Sequence, residues 1–385
     1  MVLARVIGSA ESDFTALEAD KNVEELVYLT VNRALENTGL SIEEIDTVVQ
    51  AGDDVLDGIN INHVYTVEPA GSFLKEESKI EEDGAFALFY ALMRIMTGKF
   101  RTAMVVGFSK SSESRAELMG KKPYTDPEIS GQWYYFTQFD PFLMRPLGHD
   151  VATYHAMQYQ AFLEWSGLTE EDVAEVTAKT KSAGVANPNA PHAKKVSKED
   201  VLNSGYIANP LKKLEVPLNT DGVSVLIIAN EEYAESKNYA GSRIIGAGSA
   251  SDAYYPGYRD FYRAPTAKLA AEKAYAMAGK KPEDVNLAEV YSLFSYQEPL
   301  LYYELFGWEP DVLKAKIKEG ATAENGDLPV NVSGGALCAH PIFATGLSRV
   351  IHADRQLQEG KGKIALAHAQ SGMGLQSNIV YLLEG

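Results

Sequence analysis

The chain repeats itself at long range, and that repeat limits its fold more than any other feature. Residues 34–50, ALENTGLSIEEIDTVVQ, read as a helix end, a glycine stop, a capping-type Ser41 with Glu44 three residues on, and an apolar β run. Residues 274–290, AYAMAGKKPEDVNLAEV, carry the same parts in the same order. Gly39, Glu43, Glu44, Ile45 and Asp46 fall opposite Gly279, Glu283, Asp284, Val285 and Asn286, each pair 240 positions apart (279 − 39). A second match follows each copy. In DGAFALFYALMRIMTGKFRTAMVVGFSK (83–110), apolar residues at 85, 86, 88, 89, 92, 93 and 96 describe a buried helix; Gly98 ends it and Ala103–Gly107 is a buried strand. ATGLSRVIHADRQLQEGKGKIALAH (344–368) again gives helix, glycine stop and buried strand. Helix–glycine–strand is common in any α/β chain, but agreement of order and spacing at two places predicts an α/β fold with two pseudo-symmetric βαβ-rich halves.

The halves divide as 1–237 and 238–385, and the first carries a long excursion over about 111–215, rich in Tyr, Phe, Asn and Pro. It holds a helix near 148–165 and another at 169–183, started by Thr169 with Asp172 three residues later. An insertion of this length on an α/β core reads as a lid or a substrate-shaping layer. LNTDGVSVLIIANEEYAESK (218–237) returns to the core as turn, buried strand and helix start. No flexible linker separates the halves, so they are expected to pack as one unit.

Composition removes several functions. A formal charge of −18 leaves no cationic footprint for nucleic acid, though a local basic pocket for a small anion stays possible. One cysteine in 385 residues excludes an intrachain disulfide framework and a cysteine-rich zinc site, and suits a reducing cytoplasm. The seven histidines are scattered, none at i, i+4 from another, so no metal-ligand set is expected. MVLARVIGSAESDF reads as strand and turn rather than a signal peptide, and no apolar run approaches a membrane span. The expectation is a soluble cytoplasmic protein with no membrane partner.

Four stretches can carry chemistry. In VNVSGGALCAHPIFATGLSRV (330–350), Gly334 and Gly335 permit close backbone approach, Cys338 is the chain's only thiol, and His340-Pro341 precedes a helix whose amides can hold an oxyanion. In ALAHAQSGMGLQSN (365–378) a buried strand ends in His368 and a turn containing Gly372. EVYSLFSYQEPLLYYELFGW (289–308) is a strand ending at Tyr291 that feeds an aromatic helix, and KIEEDGAFALFYA (79–91) crowds Glu81, Glu82 and Asp83 at a helix start. Each has a plain structural reading: a satisfied histidine, a packed tyrosine, a small buried cysteine, acids favoured by the helix dipole. Their arrangement argues for more, because strand ends and helix starts of a pseudo-symmetric α/β pair converge on one crevice.

These residues resemble the thiolase superfamily, in its sterol-carrier-protein-type and archaeal-type branches. VNVSGGALCAHPIFATGL looks like the family's Asn-Pro-x-Gly-Gly … His-Pro-x-Gly-Ala-Thr-Gly loop, and ALAHAQSGMG like its Gln/Ala-His-Asn-x-Gly strand end. DGVSVLIIANEEYA resembles the Asp-Gly-Ala-Ala-Ala strand, and AKTKSAGVANPNA (178–190) the segment ending in Asn-Pro. The likeness covers nearly the whole chain and implies a layered αβαβα thiolase fold. It implies that His340 is the activating base and that His368 holds the second-half catalytic position. Tyr291 falls where the family has the histidine of His-Asp-Cys-Phe. The departure is the nucleophile: Glu81 stands where the family's cysteine should be, with Gly84 and Ala87 in agreement. Burial beside a thioester would raise the Glu81 pKa toward a proton-donating role. Phe343 replaces a glycine and should narrow the pocket, with Tyr296 and the aromatic loop QWYYFTQFDPF (132–142) suiting a bulky or aryl acyl group.

Three functions follow from the resemblance. The first is thiolytic cleavage of a β-ketoacyl-CoA in a degradation pathway, with Cys338 or CoA itself attacking and His368 and Tyr291 managing the proton and the enolate. The second is retro-aldol cleavage of a β-hydroxyacyl-CoA, of the steroid side-chain type, which needs no thiol. The third is a catalytically silent acyl-CoA-binding or scaffold subunit. Glu81, Gly335, Phe343 and Gly372 are the expected substrate-binding positions. Coenzyme A enters as substrate, with no tightly bound cofactor. The resemblance also implies a homodimeric core and a small zinc-ribbon/OB-fold partner subunit.

Overall fold

The computed structural model describes residues 2–54, 61–110, 112 and 139–385. The first half runs β1 (Ala4–Glu11), α1 (Val23–Thr38), β2 (Thr47–Ala51), β3 (Glu76–Ile80), α2 (Gly84–Met96) and β4 (Thr102–Ser109). The insertion follows with α3 (Val151–Ser166), α4 (Glu170–Ala183) and a two-stranded ribbon, β5 (Tyr206–Ala208) and β6 (Leu211–Lys212), before β7 (Gly222–Ala229). The second half runs β8 (Arg243–Ser251), α5 (Pro265–Ala278), β9 (Leu287–Val290), α6 (Gln297–Phe306), α7 (Thr345–Gln358), β10 (Ile364–Ser371) and β11 (Ser377–Glu384).

The repeat is built in the backbone as well as the sequence. α1 opens at Asn22 with a capping box to Glu25 and stops at Gly39, whose φ of 69° is the left-handed conformation that costs glycine least. α5 stops the same way at Gly279, φ 64°. One 3₁₀ turn follows each, at 42–44 and 282–284, and each then delivers a strand, β2 or β9.

Nine strands form one mixed sheet in the order β3-β2-β4-β7-β1-β8-β11-β10-β9. Read outward from the β1–β8 seam, the halves present corresponding strands in corresponding order. The seam itself is two residue pairs, Ala4 with Ile244 and Arg5 with Arg243. Where β3 pairs parallel with β2, the second half has a single parallel bridge from Val330 to Ala288.

Side chains alternate across these strands, so each half-sheet has two apolar faces. On β10, Ala365, Ala367 and Ala369 join a buried cluster with α2 and α7, while Ile364 and Leu366 join another with α5. The first cluster also takes the inner faces of β2, β4, β7 and β11, so α2 and α7 lie between the two half-sheets. α1 covers the outer face of the first half and α5 that of the second. The expected five-layer αβαβα order is therefore present.

Both expected insertion helices form: Asp150 caps α3, and Thr169 with Asp172 makes the capping box of α4. Their packing follows space rather than chain order. Tyr159, Phe162, Val173 and Val176 share a buried cluster with Leu300, Leu301 and Leu305 of α6, so the first half's insertion roofs the second half. Residues 113–138, including most of the aromatic loop expected to shape the pocket, lie outside the described residues; Phe142 from that loop is exposed. Tyr296 does not reach the pocket. It is fully buried one layer back, bonded to Gln158 and His155, and the His155 ring supports Phe294 at 4.1 Å between centroids.

Candidate active site

The layer order brings the starts of both central helices to the ends of β9 and β10, and there a cavity of about 250 Å³ opens. His340, Tyr291, Asp83, Asn219, Gln370 and Ser371 supply its polar lining; Phe294, Phe343, Leu293, Val216 and Pro217 are among its apolar walls. The roof comes from the first turn of α3, through Val151 and Ala152.

His340 is fixed on every side but one. Its carbonyl accepts from Thr220 N at 3.1 Å, and its backbone bridges Asn219. Its Nδ1 lies 3.1 Å from Thr345 Oγ1, on the first residue of α7, and 3.3 Å from Tyr291 Oη. The two rings meet edge to face, centroids 5.7 Å apart. Burial pushes the imidazole pKa down to about 3, so the ring is neutral at pH 7 and a poor proton acceptor. The Thr345 hydroxyl donates to the Pro341 carbonyl at 3.2 Å, and these contacts accommodate either ring tautomer; Nε2 has no protein partner among the described residues. His340 thus presents Nε2 to the cavity.

Tyr291 leaves the end of β9 and is held by its backbone. Its N–H donates to the His368 carbonyl at 3.0 Å, and its carbonyl accepts from Gln370 Nε2 at 2.7 Å. Gln370 also donates to Gln297 Oε1, which takes the Leu293 N–H as well. Two glutamines therefore pin the 291–294 loop, and the phenol projects beside His340.

Asp83 is the residue that the sequence reading passed over. It is buried and caps α2, with Oδ1 accepting from Ala85 N at 2.7 Å. Its Oδ2 accepts from Gly346 N of α7 at 2.8 Å, so one carboxylate ties the two central helices together. Gly346 has to be glycine here, since a Cβ would stand 2.2 Å from Asp83 Oδ1. Burial raises the Asp83 pKa to about 7 against the two amide bonds, which favour the ion.

The remaining expected positions divide. Phe343 and Gly372 line the cavity; Gly335 does not, and packs against Asn331 instead. Glu81 is exposed, pairs with Lys79 at 2.7 Å and is not part of the cavity lining. His368 shares a strand face with Gln370 but lies two residues deeper. There one ring nitrogen meets Asn378 Oδ1 at 2.9 Å, and burial lowers its pKa to about 4. It supports the Tyr291 backbone and does not line the cavity. Cys338 is completely buried, with Sγ 3.9 Å from the Thr180 carbonyl of α4 and Gly184 against it; burial raises the thiol to about 11. It faces the insertion and does not line the cavity. Among the described residues, no group of three or more His, Cys, Asp or Glu is placed to hold a metal ion. No described helix is long and apolar enough to cross a membrane.

Comparison with known proteins agrees with this frame. Residues 248–383 match the family model described as Thiolase C-terminal domain-like. The benzoylsuccinyl-CoA thiolase subunit BbsB of Thauera aromatica is 29% identical over 229 residues, 57% of this chain; the match spans about three fifths of that relative, 59% of its length. A 17-hydroxy-3-oxo-4-pregnene-20-carboxyl-CoA lyase of Mycobacterium tuberculosis is 25% identical over 92% of this chain and 91% of its own. Among solved structures, an Ltp2-ChsH2(DUF35) aldolase superposes with a TM-score of 0.81 at 21% identity, covering 99% of this chain and 97% of that one. The two half-sheets and two enclosed helices agree with the thiolase fold of these structures, and residues 248–383 carry the thiolase C-terminal domain-like match.

Proposed function

We propose that the chain cleaves a carbon–carbon bond beside a CoA thioester by acid–base chemistry, with no covalent bond to the enzyme: a retro-aldol reaction on a β-hydroxyacyl-CoA with a bulky, apolar acyl part. One observation carries this reading. The only thiol is turned away from the cavity, and what lines it instead is a neutral pair of hydrogen-bonding groups, the His340 imidazole and the Tyr291 hydroxyl, which act as donors in the Nε2–H tautomer of the ring.

Retro-aldol cleavage needs a base for the β-hydroxyl and donors where the thioester oxygen becomes an enolate. A neutral imidazole can perform the second task, because its one N–H donates a hydrogen bond without the desolvation cost of a buried cation. Its Thr345 and Asn219 contacts fix it before substrate arrives, and fixed donors in a water-poor site stabilise developing charge best. The apolar walls and the ring of Phe343 at the helix start suit an aryl or alicyclic group. Similarity to a CoA lyase over nine tenths of the chain supports the same reading.

A second reading rests on the likeness to the benzoylsuccinyl-CoA thiolase subunit. CoA's own thiol would attack a β-ketoacyl-CoA directly, using the same two donors for the enolate. A homodimeric core and a small zinc-ribbon/OB-fold partner belong to either reading, and the Ltp2-ChsH2(DUF35) aldolase is itself a two-protein assembly.

Matched probes separate the two readings. We expect 3-hydroxy-3-phenylpropionyl-CoA to yield benzaldehyde and acetyl-CoA without added CoA, read by liquid chromatography and mass spectrometry. Benzoyl-CoA formed from the 3-oxo analogue only when CoA is added would favour thiolysis. An acyl adduct on Cys338 after acid quench would sink the proposal.

A further inference from the structure

We propose that Asp83 carries the proton of this reaction in both directions: its carboxylate takes the proton from the β-hydroxyl, and the carboxylic acid so formed returns it to the α-carbon. The inference rests on the acid–base reading above and names the group that reading leaves open.

Position is the first argument. Asp83 is the last residue before α2, and it lines the same cavity as His340 and Tyr291. Amide bonds from Ala85 and Gly346 hold its two oxygens, so its carboxyl cannot swing away. Each bond uses one lone pair, and a carboxylate has about four acceptor sites, so acceptor capacity remains on both oxygens.

Chemistry is the second. None of the other polar lining groups is a carboxylate: they are the His340 imidazole, the Tyr291 and Ser371 hydroxyls and the Asn219 and Gln370 amides, the last with both N–H bonds already given to the Tyr291 carbonyl and Gln297. A helix cap alone does not call for an acid, since serine, threonine or asparagine satisfy the same amide. A buried carboxylate costs desolvation free energy that those residues avoid. The groups that face it set its balance: Glu82 and burial raise its pKa, while Arg349 of α7 and the two amides lower it. Tyr381 of β11 lies close by, its hydroxyl donating to the Ala85 carbonyl, and His340 stays neutral. The result is a carboxyl that titrates at about 7, where one group serves as base and acid in turn.

The step balances with one proton and no further reactant. Asp83 removes the hydroxyl proton, the oxygen's electron pair becomes the new C=O, and the Cα–Cβ bond breaks. Its electrons enter the thioester enolate, whose oxygen is held by His340 and Tyr291. After the carbonyl product leaves, the proton passes from Asp83 to Cα and the acyl-CoA is complete.

The test is exchange of α-hydrogens for deuterium, which isolates the Asp83 half of the cycle. The 385-residue chain is incubated in D₂O with propionyl-CoA and 3-phenylpropionyl-CoA, and mass gain is followed from pH 5 to 9. The wild-type rate should rise with pH through one inflection near 7. Asp83→Asn should exchange at least about 100-fold more slowly without that inflection, binding the thioester within about threefold of wild type. Asp83→Ser, which keeps the α2 cap, should behave alike; His340→Ala should slow exchange but keep the inflection. A folded Asp83 variant with wild-type rate and profile overturns the proposal, as does a flat wild-type profile. Bound thioester that wild type never exchanges overturns the acid–base reading itself, and this proposal with it.

Discussion

Cys338 and His340 stand two residues apart in one loop and occupy opposite surroundings. The cysteine ends a short helical turn, Gly335–Cys338, and its sulfur is packed against α4. Ala339 is extended, φ −154° and ψ 121°, and carries the chain to His340, which opens onto the cavity. In a regular strand a spacing of two would put both on one face. Here the change from helical to extended backbone between them sends the side chains apart. Burial then acts on both in the direction that suits each place: the thiol is held protonated and the imidazole is held neutral. Two polar residues close in sequence thus become a packing element and a site element.

Three substitutions break or sharpen that contrast. His340→Ala removes the donor aimed at the enolate and should cut the rate of cleavage about 100- to 1,000-fold, with KM changed far less. A loss below tenfold would return His340 to a packing role. Tyr291→Phe leaves the ring, the loop and both glutamine contacts in place and removes one hydroxyl, so a loss of about 10- to 100-fold is expected, read on the same substrate. Cys338→Ala should leave turnover within about twofold and cost on the order of 1 kcal/mol of stability by thermal melting, from a small buried void. Loss of turnover with an unchanged melt would put the thiol back into the chemistry.

What the sequence showed and what it hid have separate physical causes. Helix stops at Gly39 and Gly279 and the capping box at Thr169 are local signals, enough to lay out two similar βαβ-rich halves, whereas the five-layer order came from the family resemblance. His340, Tyr291, Phe343 and Gly372 were legible because they sit at strand ends and helix starts. Asp83 was seen but taken for dipole compensation, since its second bond comes from Gly346 and no local pattern reveals it. Matching by motif favoured Glu81, yet its side chain is exposed and paired with Lys79 outside the cavity lining. His368 was misjudged by depth: the right face of the right strand, one pleat below the mouth. Asn219 and Gln370 have no sequence mark at all; they act through backbone contacts made only in the fold.

The bond between Gly346 and Asp83 also bears on how the molecule comes into being. It closes a loop of 263 residues, and contacts of such long range are reached late, because the entropy of closing the chain is lost before they contribute anything. Each half has its own sheet, outer helix and local stops, and can gather most of its backbone order alone. The cavity cannot: it exists only where the two central helices meet end to end. During synthesis or refolding, ordered secondary structure should therefore come first and catalytic competence last, as a docking event between two largely formed halves.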